Sequence, residues 1–346
     1  MKDFRSDNVL PAAPEILDAV VRANAGSMTS YGGDDITARV RRQCCEIFET
    51  DVEVFPILSG IAGNALSVAA LTPPWGAVFC HAHAHVEREE LGAASFFSGG
   101  AKLVPIDGAD GKLAPRAVAD ALAYARKTDM AIPACLSITN ATEAGTVYSV
   151  DELNALGELA TSANLRVQMD GARFANAVAT TGAEPAEMSW RAGVDALAFG
   201  ATKNGAMSAD VIVLFRKELA EEMWIRIHRG GHRPSKMRFL SAQLEAYLTD
   251  GLWLRHARHA NLMAGRLAEG IAPHVEIVRR VDANIVFVRF ASKLADALRD
   301  DGFQFSAWPI FGDDVYRLVT GWATTADDVD AFAAAVQRKM RGGGAP

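Results

Sequence analysis

Val194-Asp-Ala-Leu-Ala-Phe-Gly-Ala-Thr-Lys-Asn-Gly205 decides how the rest of the chain is read. An apolar run ends in Gly-Ala-Thr, and a single lysine, Lys203, follows in a turn-forming setting made by Asn204 and Gly205. A lysine placed where a buried strand emerges can form a salt bridge, or it can lose its proton and act as an amine nucleophile. Taken alone, such a lysine is more often a solvated loop residue. A second stretch, Leu165-Arg-Val-Gln-Met-Asp-Gly-Ala-Arg173, shifts the balance. It is also a short apolar strand, and it ends in a carboxylate, a glycine and an arginine.

Working outward, the pattern alternates strands with helices. Pro14–Ala23 reads as a helix, and Asp34 or Asp35 starts another with Ile36, Val40, Cys44 and Phe48 on one stripe. Glu53–Leu58 is a strand that breaks at Ser59-Gly60 into a small-residue helix, Ile61–Leu71. Strand, glycine, helix start is an arrangement that offers backbone N–H groups and a positive dipole end to a phosphate. One glycine is a weak motif, and taken alone a plain strand-to-helix turn is the favoured reading. Strands follow at 77–80, 102–106 and 134–138, with helices at 113–126 and 150–163. Asp210–Phe215 closes the series. Strands spaced by helices of this length imply a largely parallel sheet with helices on both faces.

From Trp253 the pattern changes. A long helix precedes strands at 275–278 and 284–290, a helix at 292–299, strands at 303–306 and 316–319, and a last helix after Thr325. We therefore expect domains at 1–250 and 251–346, with a disordered tail, Arg341-Gly-Gly-Gly-Ala-Pro346.

The 346 residues are half apolar and 22% charged, an ordinary globular balance. A net charge of −7 gives no basic patch for nucleic acid or an anionic membrane. No stretch approaches the roughly 18 apolar residues of a membrane span, and the N-terminal residues show no apolar signal core. Cys44, Cys45, Cys80 and Cys135 lack metal-ligand spacing and read as reduced core residues of a cytoplasmic protein.

An aspartate at one strand end and a lysine at a later one are the two protein groups that pyridoxal 5'-phosphate needs. The lysine makes the Schiff base, and the aspartate keeps the pyridine nitrogen protonated. Several separated pieces then resemble the L-threonine aldolase family of fold-type I pyridoxal-phosphate enzymes, over nearly the whole chain. They are Arg5-Ser-Asp-Asn8, Tyr31-Gly32 with Asp34, Ser59-Gly60 with Asn64, His85 in Ala-His-Val-Glu, Asp170-Gly-Ala-Arg173, Thr202-Lys-Asn-Gly205 and Tyr316-Arg-Leu-Val319. The low-specificity bacterial branch is the closer likeness.

The resemblance implies an α/β fold whose large domain carries a mostly parallel seven-stranded sheet, with a smaller C-terminal α/β domain. It implies aldol cleavage of L-threonine and related β-hydroxy-α-amino acids to glycine and an aldehyde, in a homotetramer built as a dimer of dimers. It makes Lys203 the covalent link to the cofactor, Asp170 the partner of the pyridine nitrogen, and His85 a ring that stacks on the cofactor near the substrate hydroxyl. Arg173 and Arg317, with Ser6, would hold the substrate carboxylate, with Tyr31 nearby. Ser59, Gly60 and Ile61 would form the phosphate loop, and Arg226 would reach a neighbouring subunit's phosphate, with Arg233 or Lys236 assisting. The family usually has threonine where this chain has Ile61, and the run Gly205–Asp210 also departs from it.

The chemistry suits these residue types. An ionised carboxylate at the pyridine nitrogen deepens the electron sink. Planar arginine forks fix a carboxylate and so choose which bond is aligned for cleavage. The β-hydroxyl must lose a proton, either to His85 or to a water held by His85 and a polar residue of the Thr142-Glu143 loop. Rival readings remain. A β-eliminating lyase or aminotransferase would use the same lysine and aspartate. A metal-dependent hydrolase could use His81, His83 and His85, which share one face if the chain there is extended, together with Asp170.

Overall fold

The computed structural model describes residues 2–342. A two-residue strand, β1 (Lys2–Asp3), opens the chain. The strands β2 (Glu53–Ile57), β3 (Gly76–His81), β4 (Lys102–Ile106), β5 (Ile132–Thr139), β6 (Arg166–Gly171), β7 (Ala196–Phe199) and β8 (Asp210–Leu214) then form one sheet. Its order is β2-β8-β7-β6-β5-β3-β4, and only β8 runs against the others. The reversal has a simple cause. Residues 200–209 join β7 to β8, whereas a parallel return needs a crossover of about a dozen residues or more. The chain can only turn back, and Lys203 sits in that turn.

All strands but β8 point the same way, so β2, β3, β5, β6 and β7 release their loops at one edge of the sheet. Ser59, His85, Glu143, Arg173 and Lys203 each follow one of those strand ends. In open α/β sheets this carboxyl edge is where ligands bind. The helix Gly60–Leu71 lies across the sheet and is buried along nearly its whole length. Its small residues permit this approach: a Cβ on Gly63 would lie 2.8 Å from Ile57 Cδ1 and 3.0 Å from Ala198 Cβ. Phe48, Phe174 and Phe199 fill the opposite face as an edge-to-face cluster.

A second sheet, β12-β13-β10-β9, is built from β9 (Glu276–Ile277), β10 (Ile285–Arg289), β12 (Ser306–Ala307) and β13 (Val315–Val319). It packs with the helices Leu252–Ile271 and Ala326–Gly342 around Phe290, Phe305, Tyr316 and Phe332. The N-terminal segment belongs partly to this unit. β1 pairs in parallel with β11 (Phe303–Gln304), Phe4 N donates to Gln304 O at 2.7 Å, and Val319 N donates to Phe4 O at 2.8 Å. Phe4 is fully buried against Phe332.

Four readings need correction. The expected strand 303–306 is two strands with different partners, because the chain turns between Gln304 and Ser306 to leave β1 and join β13. The stretch between Phe215 and Trp253 holds two helices that the sequence reading did not place, Ala220–Arg229 and Arg238–Leu248. Cys45 is not a core residue: it is partly exposed beside Asp51, while Cys44, Cys80 and Cys135 are buried. Arg341 and Gly342 end the last helix, and the rest of the expected tail, 343–346, lies outside the described residues. No helix among the described residues is long and apolar enough to cross a membrane.

Candidate active site

Lys203 lies in a single helical turn, Thr202–Asn204, fixed from below. Asp210, the first residue of β8, accepts hydrogen bonds from the backbone N–H of Ala201 (2.8 Å) and Thr202 (3.0 Å) through one oxygen. Burial pushes the Asp210 carboxyl above its ordinary range, and these donors oppose the shift. Asn204 Nδ2 donates to Tyr247 Oη and to Trp253 O, both at 2.8 Å. Lys203 itself has no ion-pair partner among the described residues, so the turn that carries it is fixed while its amine is left uncommitted.

Asp170 stands one strand away, at the end of β6. Its Oδ1 accepts from Ala172 N (3.0 Å) and its Oδ2 from Asn64 Nδ2 (3.0 Å). Asn64 is the centre of a buried chain. Ser137 Oγ donates to Gln168 Oε1 (2.6 Å), Gln168 Nε2 donates to Asn64 Oδ1 (3.0 Å), and Asn64 Nδ2 also reaches Glu90 Oε1 (2.8 Å). Glu90 in turn faces His85 Nδ1 at 2.9 Å. A buried network of this kind, here satisfied except at Glu90 Oε2, holds its members in one orientation. Donating to Glu90 Oε1 holds the His85 imidazole above its usual range, against the effect of burial. Sequence reasoning had Asn64 as part of a motif, but it missed Glu90, five residues after His85, and Gln168, which shares a face of β6 with Asp170.

Ser59 caps the helix Gly60–Leu71 by accepting from Ala62 N at 3.3 Å. The N–H groups of Gly60 and Ile61 are first-turn donors with no intrahelical acceptor. Ser59, Gly60, Ile61, Asn64, His85, Asp170, Thr202, Lys203 and Asp210, with Asn8 above them, line one cavity of about 220 Å³.

The arginines fall into two groups. Arg173 is buried and its fork is engaged by Asp7: Nε donates to Oδ2 at 2.8 Å and Nη2 to Oδ1 at 2.9 Å. Asn284 Nδ2 adds a bond to Asp7 at 3.0 Å. Burial alone would raise the Asp7 carboxyl, but the charges of Arg173 and Lys203 with these donors hold it below the ordinary range. Arg317 is different. Its guanidinium stacks on Trp308 at 4.0 Å, its Nη2 reaches only Arg5 O at 3.4 Å, and its buried Nε has no partner among the described residues. Burial and the charge of Arg173 lower its proton affinity.

The remaining expected residues lie elsewhere. The Ser6 hydroxyl caps the turn Asp7–Val9 by accepting from Asn8 N. Tyr31 is exposed and carries Arg233 over its ring at 5.8 Å, and Arg233 also stacks on Trp224 at 4.6 Å. Arg226 pairs with Glu222 and lines a separate surface cavity with Phe96 and Phe97. None of these four borders the Lys203 cavity in this single chain.

The donor set fits pyridoxal phosphate. It offers an amine and an ionisable carboxylate on adjacent strand ends, an imidazole face, and a helix N-terminus with free amides at the cavity's end. A metal reading does not fit. The run 81–85 is not extended: His81 ends β3, and His85 begins a one-turn helix, His85–Arg88. His81 Nδ1 accepts from His83 N while His85 turns to Glu90, so the imidazoles do not converge. Among the described residues no group of three or more His, Cys, Asp or Glu could hold a metal ion.

Comparison with known proteins agrees with this geometry. The Beta-eliminating lyase family model matches residues 3–293. A low specificity L-threonine aldolase from Pseudomonas sp. is 40% identical over 98% of this chain and 98% of its own length. The solved threonine aldolase of Leishmania major superposes with a TM-score of 0.93 at 27% identity, covering 98% of this chain and all of that one. An archaeal alanine:glyoxylate aminotransferase shares the fold, with a TM-score of 0.71 at 12% identity.

Proposed function

The chain belongs to the β-eliminating lyase family and, within it, to the low-specificity L-threonine aldolases, and from this premise we propose how its own residues work. The reaction is cleavage of L-threonine, L-allo-threonine and related β-hydroxy-α-amino acids, phenylserine among them, to glycine and an aldehyde. The observation that supports it best is the shared cavity, where Lys203 and Asp170 stand on neighbouring strand ends beneath His85 and beside the Gly60 helix terminus.

Pyridoxal phosphate, when bound, supplies the electron sink for the pair released as the Cα–Cβ bond breaks. Lys203 Nζ is its covalent point of attachment. Asp170 keeps the proton on the ring nitrogen, and the Asn64–Gln168–Ser137 chain keeps Asp170 in place. Gly60 and Ile61 N–H would donate to the cofactor's phosphate, with Ser59 shaping the turn. His85 would lie against its ring. The substrate carboxylate goes to Arg317, whose Nε is free, with Arg173 held beside it by Asp7. Fixing that carboxylate sets which bond at Cα is aligned for cleavage.

Tyr31, Arg226 and Arg233 point to a neighbouring subunit in this reading. It takes the enzyme as a cytoplasmic homotetramer, a dimer of dimers, with domains 1–250 and 251–346 and the N-terminal segment shared between them. The test is an absorption spectrum of the purified protein, before and after L-threonine and then L-phenylserine. A visible band that responds to both, with glycine released, is expected. No band after added pyridoxal phosphate would overturn the reading.

A further inference from the structure

We propose that Glu143 is the group that takes the proton from the substrate's β-hydroxyl. This deepens the aldolase reading and rests on it. The loop after β5 is built to present this side chain. Between Asn140 and Tyr148 every residue is buried except Glu143. The loop is pinned at Asn140 N, which donates to Asp170 O at 2.9 Å. Thr142 N donates to Thr146 O at 2.9 Å, the two hydroxyls meet at 2.8 Å, and Thr146 Oγ donates to Asp110 O at 2.6 Å. Gly145 takes a positive φ of +77° against Ile285, where a Cβ would lie 3.2 Å from the Ile285 backbone oxygen. The loop is therefore rigid, and it is seated against both sheets.

Glu143 itself makes no hydrogen bond or ion pair among the described residues. The loop that carries it is bonded to the backbone of Asp170, a residue that lines the cavity, and its charge acts on His85, on Arg173 and on Arg317. Arg317 and Glu143 are thus two oppositely charged groups, both unpaired and not in contact with each other. A ligand that bridges them needs an anionic end for Arg317 and a proton donor for Glu143. A β-hydroxy-α-amino acid has both.

His85 is poorly placed for the same task. Its Nδ1 faces Glu90 at 2.9 Å and its Nε2 faces Glu89 at 3.5 Å. An imidazole between two carboxylates keeps its protons and is a weak acceptor. Glu143 has only acceptor oxygens when ionised. In the step, the O–H bond breaks and its proton goes to a Glu143 oxygen. The O–H pair becomes the second bond of the aldehyde carbonyl, and the Cα–Cβ pair stays with the amino-acid half. One proton leaves oxygen and one is later added at Cα, so no oxidant or co-reactant is needed.

The test compares Glu143→Gln with the wild-type holoenzyme in three measurements. The first is cleavage of L-threonine and L-phenylserine. The second is the visible-absorbance titration with glycine, which has no hydroxyl. The third is exchange of the glycine α-hydrogen in D2O. We expect kcat for cleavage to fall by roughly 100-fold or more, the scale of a lost general base. Glycine affinity and exchange should stay within about threefold. Cleavage within threefold of wild type would overturn the proposal, and so would a matching loss of glycine binding, since Glu143 would then be a binding or folding residue. Wild-type protein that binds glycine but cleaves no β-hydroxy amino acid would instead refute the aldolase reading.

Discussion

The two ends of the site are built on opposite terms. At the inner end the carboxylates and amides are almost fully hydrogen-bonded, with Glu90 Oε2 the exception. Asp170 has two donors, Asn64 links it to Gln168 and Glu90, and Asp210 clamps the Lys203 turn from beneath. At the outer end Arg317 keeps an unpartnered Nε, and Glu143 stands on a rigid loop with nothing to bind. A buried charge without a partner destabilises the fold, so a chain keeps one where a ligand will complete it. The inner end holds a resident group in one geometry, and the outer end is left incomplete for a molecule that comes and goes.

Substitutions can break this contrast or sharpen it. Lys203→Ala should have the largest effect: no visible band on reconstitution and no measurable turnover, read by absorbance and by glycine release. A surviving band would place the attachment elsewhere. Asp7→Ala should come next, in stability. Removing one partner of the buried Arg173 pair costs about 3–5 kcal/mol, measurable by denaturant unfolding. Asp7 is held below the ordinary carboxylate range in the folded protein. Its contribution is therefore complete above the unfolded value of about 3.9 and is lost as pH falls through the lower, folded one. The gap between wild type and Asp7→Asn should accordingly be constant near neutrality and close only in strong acid. A gap that closed near pH 6 would mean another group is responsible.

Arg317→Ala tests the open end. A charged hydrogen bond to substrate is worth about 1.5–3 kcal/mol, so KM for L-threonine should rise roughly 10- to 100-fold. The unliganded protein should lose only about 1 kcal/mol, the scale of the stack on Trp308, because the guanidinium has no ion pair there. A large loss of stability would show that Arg317 is structural. Ile61→Thr should give the smallest change. It adds one hydroxyl where backbone donors already exist, worth about 1 kcal/mol at most, or roughly a fivefold gain in cofactor affinity measured by titration.

The sheet was readable from the sequence because each strand ends in a break that the pattern marks. Lys203 follows one such break and Asp170 completes another, so the pattern marks both positions, while their roles came from the family resemblance. The same rule misled at His81-Ala-His-Ala-His85. Alternation places side chains on one face only in an extended chain, and here β3 has already ended at His81. Asp7 and Arg173 could not be paired from the sequence. Their bond spans two regions with no shared period, and it is made by tertiary packing against Asn284. Glu143 looked like one polar residue among several in a loop. What singles it out is that its neighbours are buried, and burial in a loop leaves no periodic trace. Phe303–Ser306 read as one strand because the pattern carries no mark of a change of partner.

The pairing of Lys2–Asp3 with Phe303–Gln304 also bears on the order in which the molecule can be made. Residues 2–8 are synthesised some 300 residues before the strand that seats them. Asp7 waits equally long for Asn284, although Arg173 is available sooner. Nascent protein must therefore carry Phe4 and Asp7 unplaced while the seven-stranded sheet forms, and contacts of such long range form slowly. Asn8 joins the cavity wall only when that segment docks, so the cavity is completed after the sheet that supports it. A ribosome-stalled fragment ending before residue 303 should hold the sheet yet leave its N-terminal residues open to protease.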